Sequence, residues 1–112
     1  ENTLSIVATD ELKNVYDGLL ISGDFNGWGT DTKMVPVNTV EGVVNHVWKY
    51  ELDATSGDTT AKFLYAGWTP NWGASTFPYG FGVNGGANIP VVAGKYVAIL
   101  NDIDGYYHFF SK

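Results

Sequence analysis

The chain predicts an all-β fold, an antiparallel sandwich of about seven short strands, on three observations. Apolar residues recur at every second position in several short stretches, which is the period of a strand. Helical periodicity is nearly absent: Asp10 to Asn14 could supply one turn, and no segment offers the roughly dozen residues of a parallel crossover. Fourteen glycines and four prolines fall mainly between the apolar runs, where they punctuate strands.

The elements follow in order. Thr3 to Ala8 alternates, with Leu4, Ile6 and Ala8 on one face, and Gly18 to Ser22 is a short apolar run closed by Gly23. His46 to Leu52 places His46, Trp48, Tyr50 and Leu52 on one side and Val47, Lys49 and Glu51 on the other, the pattern of a sheet with one wet face. Trp48 is therefore a core residue. Thr60 to Ala66 puts Ala61, Phe63 and Tyr65 on one side. A short strand around Asn88 to Val92 carries Pro90, which restricts it to an edge or an irregular start. Lys95 to Asn101 and Tyr106 to Phe110 form a last hairpin around Asn101-Asp102-Ile103-Asp104-Gly105, with the glycine supplying φ > 0. Between Gly67 and Pro90 lie about twenty residues with little strand pattern, and loops of that length in compact domains tend to be functional or disordered. This one carries Trp68, Trp72, Phe77, Tyr79 and Phe81, too much ring surface to leave in water without use.

With 112 residues the chain falls in the one-domain range. Area scaling lets a chain of this size bury about two-thirds of its surface without staples. Cysteine is absent, which removes disulfide frameworks, thiolate zinc sites and thiol catalysis. Six lysines, no arginine and twelve acids give a net charge of −6, the wrong sign for binding nucleic acid through its phosphates. No apolar run approaches the ~20 residues that span a bilayer, and the polar start has no signal-peptide order, so direct membrane insertion is not expected. Residues 1–112 read as a single domain excised from a larger protein, monomeric on its own.

Catalysis is poorly supplied. His46 alternates with core-type residues and His108 sits between Tyr106 and Phe110, so both read as sheet residues. No nucleophile elbow, H-E-x-x-H motif or phosphate loop occurs. Asp24 and Asp31 flank one loop, but acids in turns generally cap and solvate. The Asp102-Ile103-Asp104-Gly105 run lacks the late bidentate carboxylate of a calcium loop. The expectation is no enzyme, no catalytic residue, no metal and no cofactor.

Aromatic residues, 15% of the chain, are the remaining asset. A sugar ring has an apolar face of axial C–H groups and a rim of hydroxyls; flat indoles stack on the first while a few polar groups read the second. Trp28, Trp68 and Trp72 all sit beside glycine in loop-like sequence. Covering half of one ~200 Å² indole at ~25 cal/mol per Å² contributes about 2.5 kcal/mol gross. After the cost of association, two or three rings imply a dissociation constant between roughly micromolar and millimolar.

Four motifs recur in a known order: Gly23-Asp24-Phe25-Asn26-Gly27-Trp28 closing a strand, Lys62-Phe63 in a later one, Gly67-Trp68 just after it, and Asn88-Ile89-Pro90-Val91. They resemble the glycogen- and starch-binding modules appended to branching enzymes and kinase regulatory subunits. Adding Trp68-Thr-Pro-Asn-Trp72-Gly73, Gly85-Gly86-Ala87-Asn88-Ile89-Pro90-Val91 and Gly94-Lys95-Tyr96, the chain from about Leu19 to Phe110 is similar to the SusE/SusF-type glycan-binding proteins of the Bacteroidetes outer membrane. The resemblance to the glycogen-binding modules implies an immunoglobulin-like sandwich that contacts glucose units through Trp28, Lys62, Trp68 and Asn88. The similarity to the SusE/SusF-type proteins implies a surface lipoprotein of several such domains that captures polysaccharide ahead of an importer. The lipidated cysteine and tandem domains of such proteins are not in these residues.

The reading is a non-catalytic carbohydrate-binding module for polysaccharide or oligosaccharide, with an α-glucan such as starch favoured and xylan an alternative. Trp28, Trp68 and Trp72 form its stacking platform, Lys62 and Asn88 bond hydroxyls, and Tyr79 and Asn84 are added from the same long loop. Two other classes compete: a spacer sandwich whose rings pack on a neighbouring domain, and an acid–base glycosidase using Asp24 or Asp31.

Overall fold

Two antiparallel sheets make up the computed structural model of the chain, which describes residues 16–42 and 44–112. The smaller sheet is organised around β4 (Thr59–Leu64), paired along one side by β1 (Leu20–Ser22) and elsewhere by β5 (Asn71–Trp72) and β7 (Ile89–Val91). The larger runs β2–β3–β8–β9–β6, with β2 at Val35–Pro36, β3 at Val47–Asp53, β6 at Tyr79–Phe81, β8 at Lys95–Asn101 and β9 at Tyr106–Ser111. Together they form an all-β antiparallel sandwich, as the alternation predicts.

The two-residue period decides which side chains meet between the layers. From the smaller sheet Ile21, Ala61, Phe63, Trp72 and Ile89 point inward; Trp48, Leu52, Ala98, Leu100, Tyr107 and Phe109 answer from the larger. Phe63, fully buried, joins the layers: its ring centroid lies 6.0 Å from that of Tyr107 and 5.9 Å from that of Phe109. Burying one such side chain contributes about 1.5–3 kcal/mol, so this set is the main source of cohesion.

Trp48 is in the core, and its buried indole N–H donates to Asp102 Oδ2 at 2.8 Å. The other oxygen of Asp102 meets His46 Nδ1 at 2.7 Å, so one buried carboxylate ties the start of β3 to the β8–β9 turn. Burial pushes the Asp102 carboxyl above its ordinary value, and the two donors only partly offset this. His46 thus serves as a structural partner. The turn itself is the predicted hairpin: Gly105 has φ +80°, its N–H donates to Asn101 O at 2.9 Å, and a Cβ there would run into Gly82 O.

Nine strands occur among the described residues, more than alternation shows there, because the additional ones are only two or three residues long. Two of them, β5 and β6, lie inside the segment expected to be a long loop. Glycine and proline obscure their period, yet β5 pairs Trp72 with Phe63, and β6 pairs Tyr79 with His108 and Phe81 with Tyr106. The expected strand at Thr3–Ala8 and the turn at Asp10–Asn14 lie outside the described residues. No helix among the described residues is long and apolar enough to cross a membrane.

Candidate functional site

The outer face of the smaller sheet is built from residues that the inward alternation leaves over. Ser22 and Lys62 are cross-strand partners on that face, as are Leu20 and Leu64. Two loops fold across it. The first leaves β1 at Gly23, whose backbone crosses β4 so closely that a Cβ would fall 1.8 Å from Thr60 O; only glycine fits. Asn26 then holds the loop shut. Its Oδ1 accepts the Gly23 N–H at 3.0 Å, and its Nδ2 donates to Ile21 O at 3.2 Å and Thr32 Oγ1 at 2.9 Å. Ser22 Oγ donates to Gly29 O at 2.8 Å, pinning the residue after Trp28.

The second loop leaves β4 through a tight turn at Ala66–Trp68 and returns in β5. Tyr65 N–H donates to Pro70 O and Trp68 N–H to Tyr65 O, both at 2.9 Å. Asn71 braces the turn: its Nδ2 donates to Trp68 O at 2.9 Å and its Oδ1 accepts the Gly85 N–H at 3.1 Å. The Asn71 backbone N–H donates in turn to Asn84 Oδ1 at 3.0 Å.

These loops deliver one indole each. The ring centroids of Trp28 and Trp68 are 6.1 Å apart with their planes inclined at 40°, and both rings are only half-buried. Both residues have left-handed backbones, φ +61° and +65°, and among the described residues they are the non-glycine positions with positive φ. A bulky side chain in that region costs on the order of 1 kcal/mol, a strain that concentrates at functional positions. Trp28 is oriented further by its Nε1–H, which donates to Asp24 Oδ1 at 3.0 Å.

Lys62 shares this outer face. Its Nζ donates to Gly86 O at 2.7 Å, leaving two of its three N–H donors for other partners. Partial burial lowers its pKa from the ordinary lysine value. Asn88 is exposed and immediately precedes β7; continuing the register Ala61–Ile89 by one residue sets it opposite Lys62.

Of the residues singled out from sequence, the fold thus gathers Trp28, Trp68, Lys62 and Asn88 on one side of the sandwich. Trp72 is a correction to the expected platform. It faces inward opposite Phe63 at 7% exposure, because β5 adds to the smaller sheet and its alternation turns that ring into the core. Asn84 spends its side-chain oxygen on the Asn71 backbone, a bracing role behind Trp68. Tyr79 lies on β6 of the other sheet, exposed and away from the indoles. Two supports were not expected from sequence, Asp24 as the indole acceptor and Asn71 as the brace. The four-residue spacing of Asp24 and Trp28 is the signal that could have exposed the first.

The two half-buried indoles form a ledge beside the smaller sheet. A cleft of about 380 Å³ between Asp17, Leu19, Lys33, Met34, Trp48 and Tyr65, and one of about 560 Å³ beside Tyr79 and Phe81, include neither ring.

No protein-family model matches the chain, and no curated protein matches it. Among solved structures, the crystal structure of SusF from Bacteroides thetaiotaomicron superposes with a TM-score of 0.66 at 17% identity, over 83% of this chain. The chain spans 23% of that protein's length, and the likeness is one of fold.

Proposed function

We propose that this domain is a non-catalytic carbohydrate-binding module that holds a run of pyranose units, an α-glucan foremost, on Trp28 and Trp68. The observation that carries the reading is the pair of half-open indoles, 6.1 Å apart and inclined at 40°, each held on a left-handed residue by a braced loop. Two rings at that angle suit a chain that turns between successive sugars, as α-linked glucose does, better than a flat ribbon. Lys62 and Asn88 read hydroxyls at the rim, the ammonium with its two uncommitted donors. The sequence motifs that resemble SusE/SusF-type proteins and the fold shared with SusF support the same reading. They favour a monomeric unit of a larger, surface-exposed glycan-capture protein of the Bacteroidetes type.

Two stacked rings contribute about 5 kcal/mol gross, which after the cost of association leaves weak binding. Calorimetry with maltoheptaose should yield a dissociation constant in the roughly micromolar-to-millimolar range, with xylan and cellulose oligosaccharides weaker. Heat with no saturating glycan in such a panel would sink the proposal.

A further inference from the structure

The outer face of the larger sheet is divided between two chemistries. On β3 and β8 it carries the exposed charges Lys49, Glu51, Asp53 and Lys95 with the half-buried Val47, Val97 and Ile99 between them. On β9 and β6 it carries Tyr79, Phe81, Tyr106, His108 and Phe110, all on one side because Tyr107 and Phe109 between them point inward. The rings form a connected array. Tyr79 and His108 lie 5.4 Å apart, Phe81 and Tyr106 5.5 Å apart, and His108 and Phe110 stack at 3.9 Å with planes 2° apart. Tyr79, Phe81 and Phe110 are 57%, 61% and 46% exposed. Beside them, the cleft of about 560 Å³ between Thr76, Pro78, Tyr79, Phe81 and Tyr106 falls in the ~300–1,000 Å³ range of ligand clefts.

We infer that this array is a second polysaccharide-contact surface, on the opposite layer of the sandwich from Trp28 and Trp68 and independent of them. Size and charge point to a neutral glycan as the occupant. Three rings of ~200 Å² exposed by about half offer roughly 300 Å², well short of the ~800 Å² per partner of a stable protein interface. That area matches a few sugar faces. None of the five residues carries a permanent charge, and three bring polar atoms to the ring edges: the Tyr79 and Tyr106 hydroxyls and the His108 imidazole. Tyr106 Oη and His108 Nδ1 already bond each other at 3.1 Å, which fixes both rings in place. An uncharged partner with apolar faces and a hydroxyl rim fits this surface, and a long chain or granule could touch it while the indole ledge holds the same or a neighbouring strand.

The test measures depletion of the full chain from solution by granular starch, insoluble xylan and microcrystalline cellulose. The variants are Trp28→Ala/Trp68→Ala, Tyr79→Thr/Phe81→Thr, and all four changes together; threonine keeps strand propensity at the edge. The double-indole variant should retain measurable binding to at least one polymer, and adding the β6 changes should reduce that remainder at least fivefold. Tyr79→Thr/Phe81→Thr alone should leave soluble maltoheptaose affinity within twofold of wild type, which also reports that it is folded. The inference is overturned if the β6 pair changes no polymer partition in either background. It is equally overturned if sedimentation shows self-association that the β6 changes abolish while partition stays constant, since the surface would then serve a second copy. If Trp28→Ala/Trp68→Ala leaves all partition unchanged while the β6 changes remove it, the indole proposal fails and this one stands.

Discussion

Trp28 and Trp68 can be separated from space-filling tryptophans by measuring binding and stability on the same variants. Trp28→Ala should weaken maltoheptaose binding at least tenfold by calorimetry, since about 2.5 kcal/mol of stacking is removed, while lowering stability by less than ~1 kcal/mol, as for other partly exposed sites. Trp28→Gly sharpens the distinction. Glycine accepts the left-handed backbone that alanine resists, so it should be more stable than Trp28→Ala by roughly 0.5–1 kcal/mol and equally weakened in binding. Trp72→Ala should behave in the opposite way: it empties a buried site, so a loss of about 3–5 kcal/mol is expected from denaturant unfolding. Asp102 gives the pH test. Its folded-state pKa lies above the ordinary 3.8 because burial disfavours the charge, so its contribution is fully present below that value and is lost as pH rises through the raised one. Melting temperatures of Asp102→Asn against wild type should therefore shift in favour of the variant as pH climbs through that window. Asp102→Ala should instead cost about 1–3 kcal/mol, because the buried Trp48 N–H loses its acceptor.

Among the elements, the loop between β1 and β2 bears most on the proposed binding. The Asn26 side chain ties it together by bonding Gly23, Ile21 and Thr32. Asn26→Ala should remove about 2–3 kcal/mol of stability, at about 1 kcal/mol per bond, and displace Trp28, so that binding falls with no ligand contact touched. Fluorescence-monitored unfolding and calorimetry on one sample check both halves of that statement. The elements also show what could be read in advance. β3, β8 and β9 each run for six or seven residues, and their alternation revealed their inner and outer faces, Trp48 included. Loop motifs with glycine beside an indole singled out Trp28 and Trp68, which are half-buried in loops, but also Trp72, which is in the core. What escaped was decided by strand pairing that no period in the chain reveals: β5 is two residues, and only its partner Phe63 determines that Trp72 turns inward. The bracing by Asn71 depends on loop geometry that no period encodes.

At the scale of the molecule, the sandwich sorts its aromatic residues by layer. Rings between the sheets hold the fold, the two indoles lie over the smaller sheet, and the Tyr79–Phe81 array covers one half of the larger. Such sorting follows from strand alternation, because neighbouring residues on one strand face opposite ways and a single strand can serve core and surface together. Tyr106–Tyr107–His108–Phe109–Phe110 does this in five consecutive residues. The most direct measurement of the central claim is a maltoheptaose titration of Trp28→Ala/Trp68→Ala followed by its thermal unfolding. A platform of sugar-binding indoles predicts a folded protein, melting close to wild type, with no detectable saturation. Unchanged affinity in a folded variant, or a collapse in melting temperature with no binding by the wild type, would contradict it.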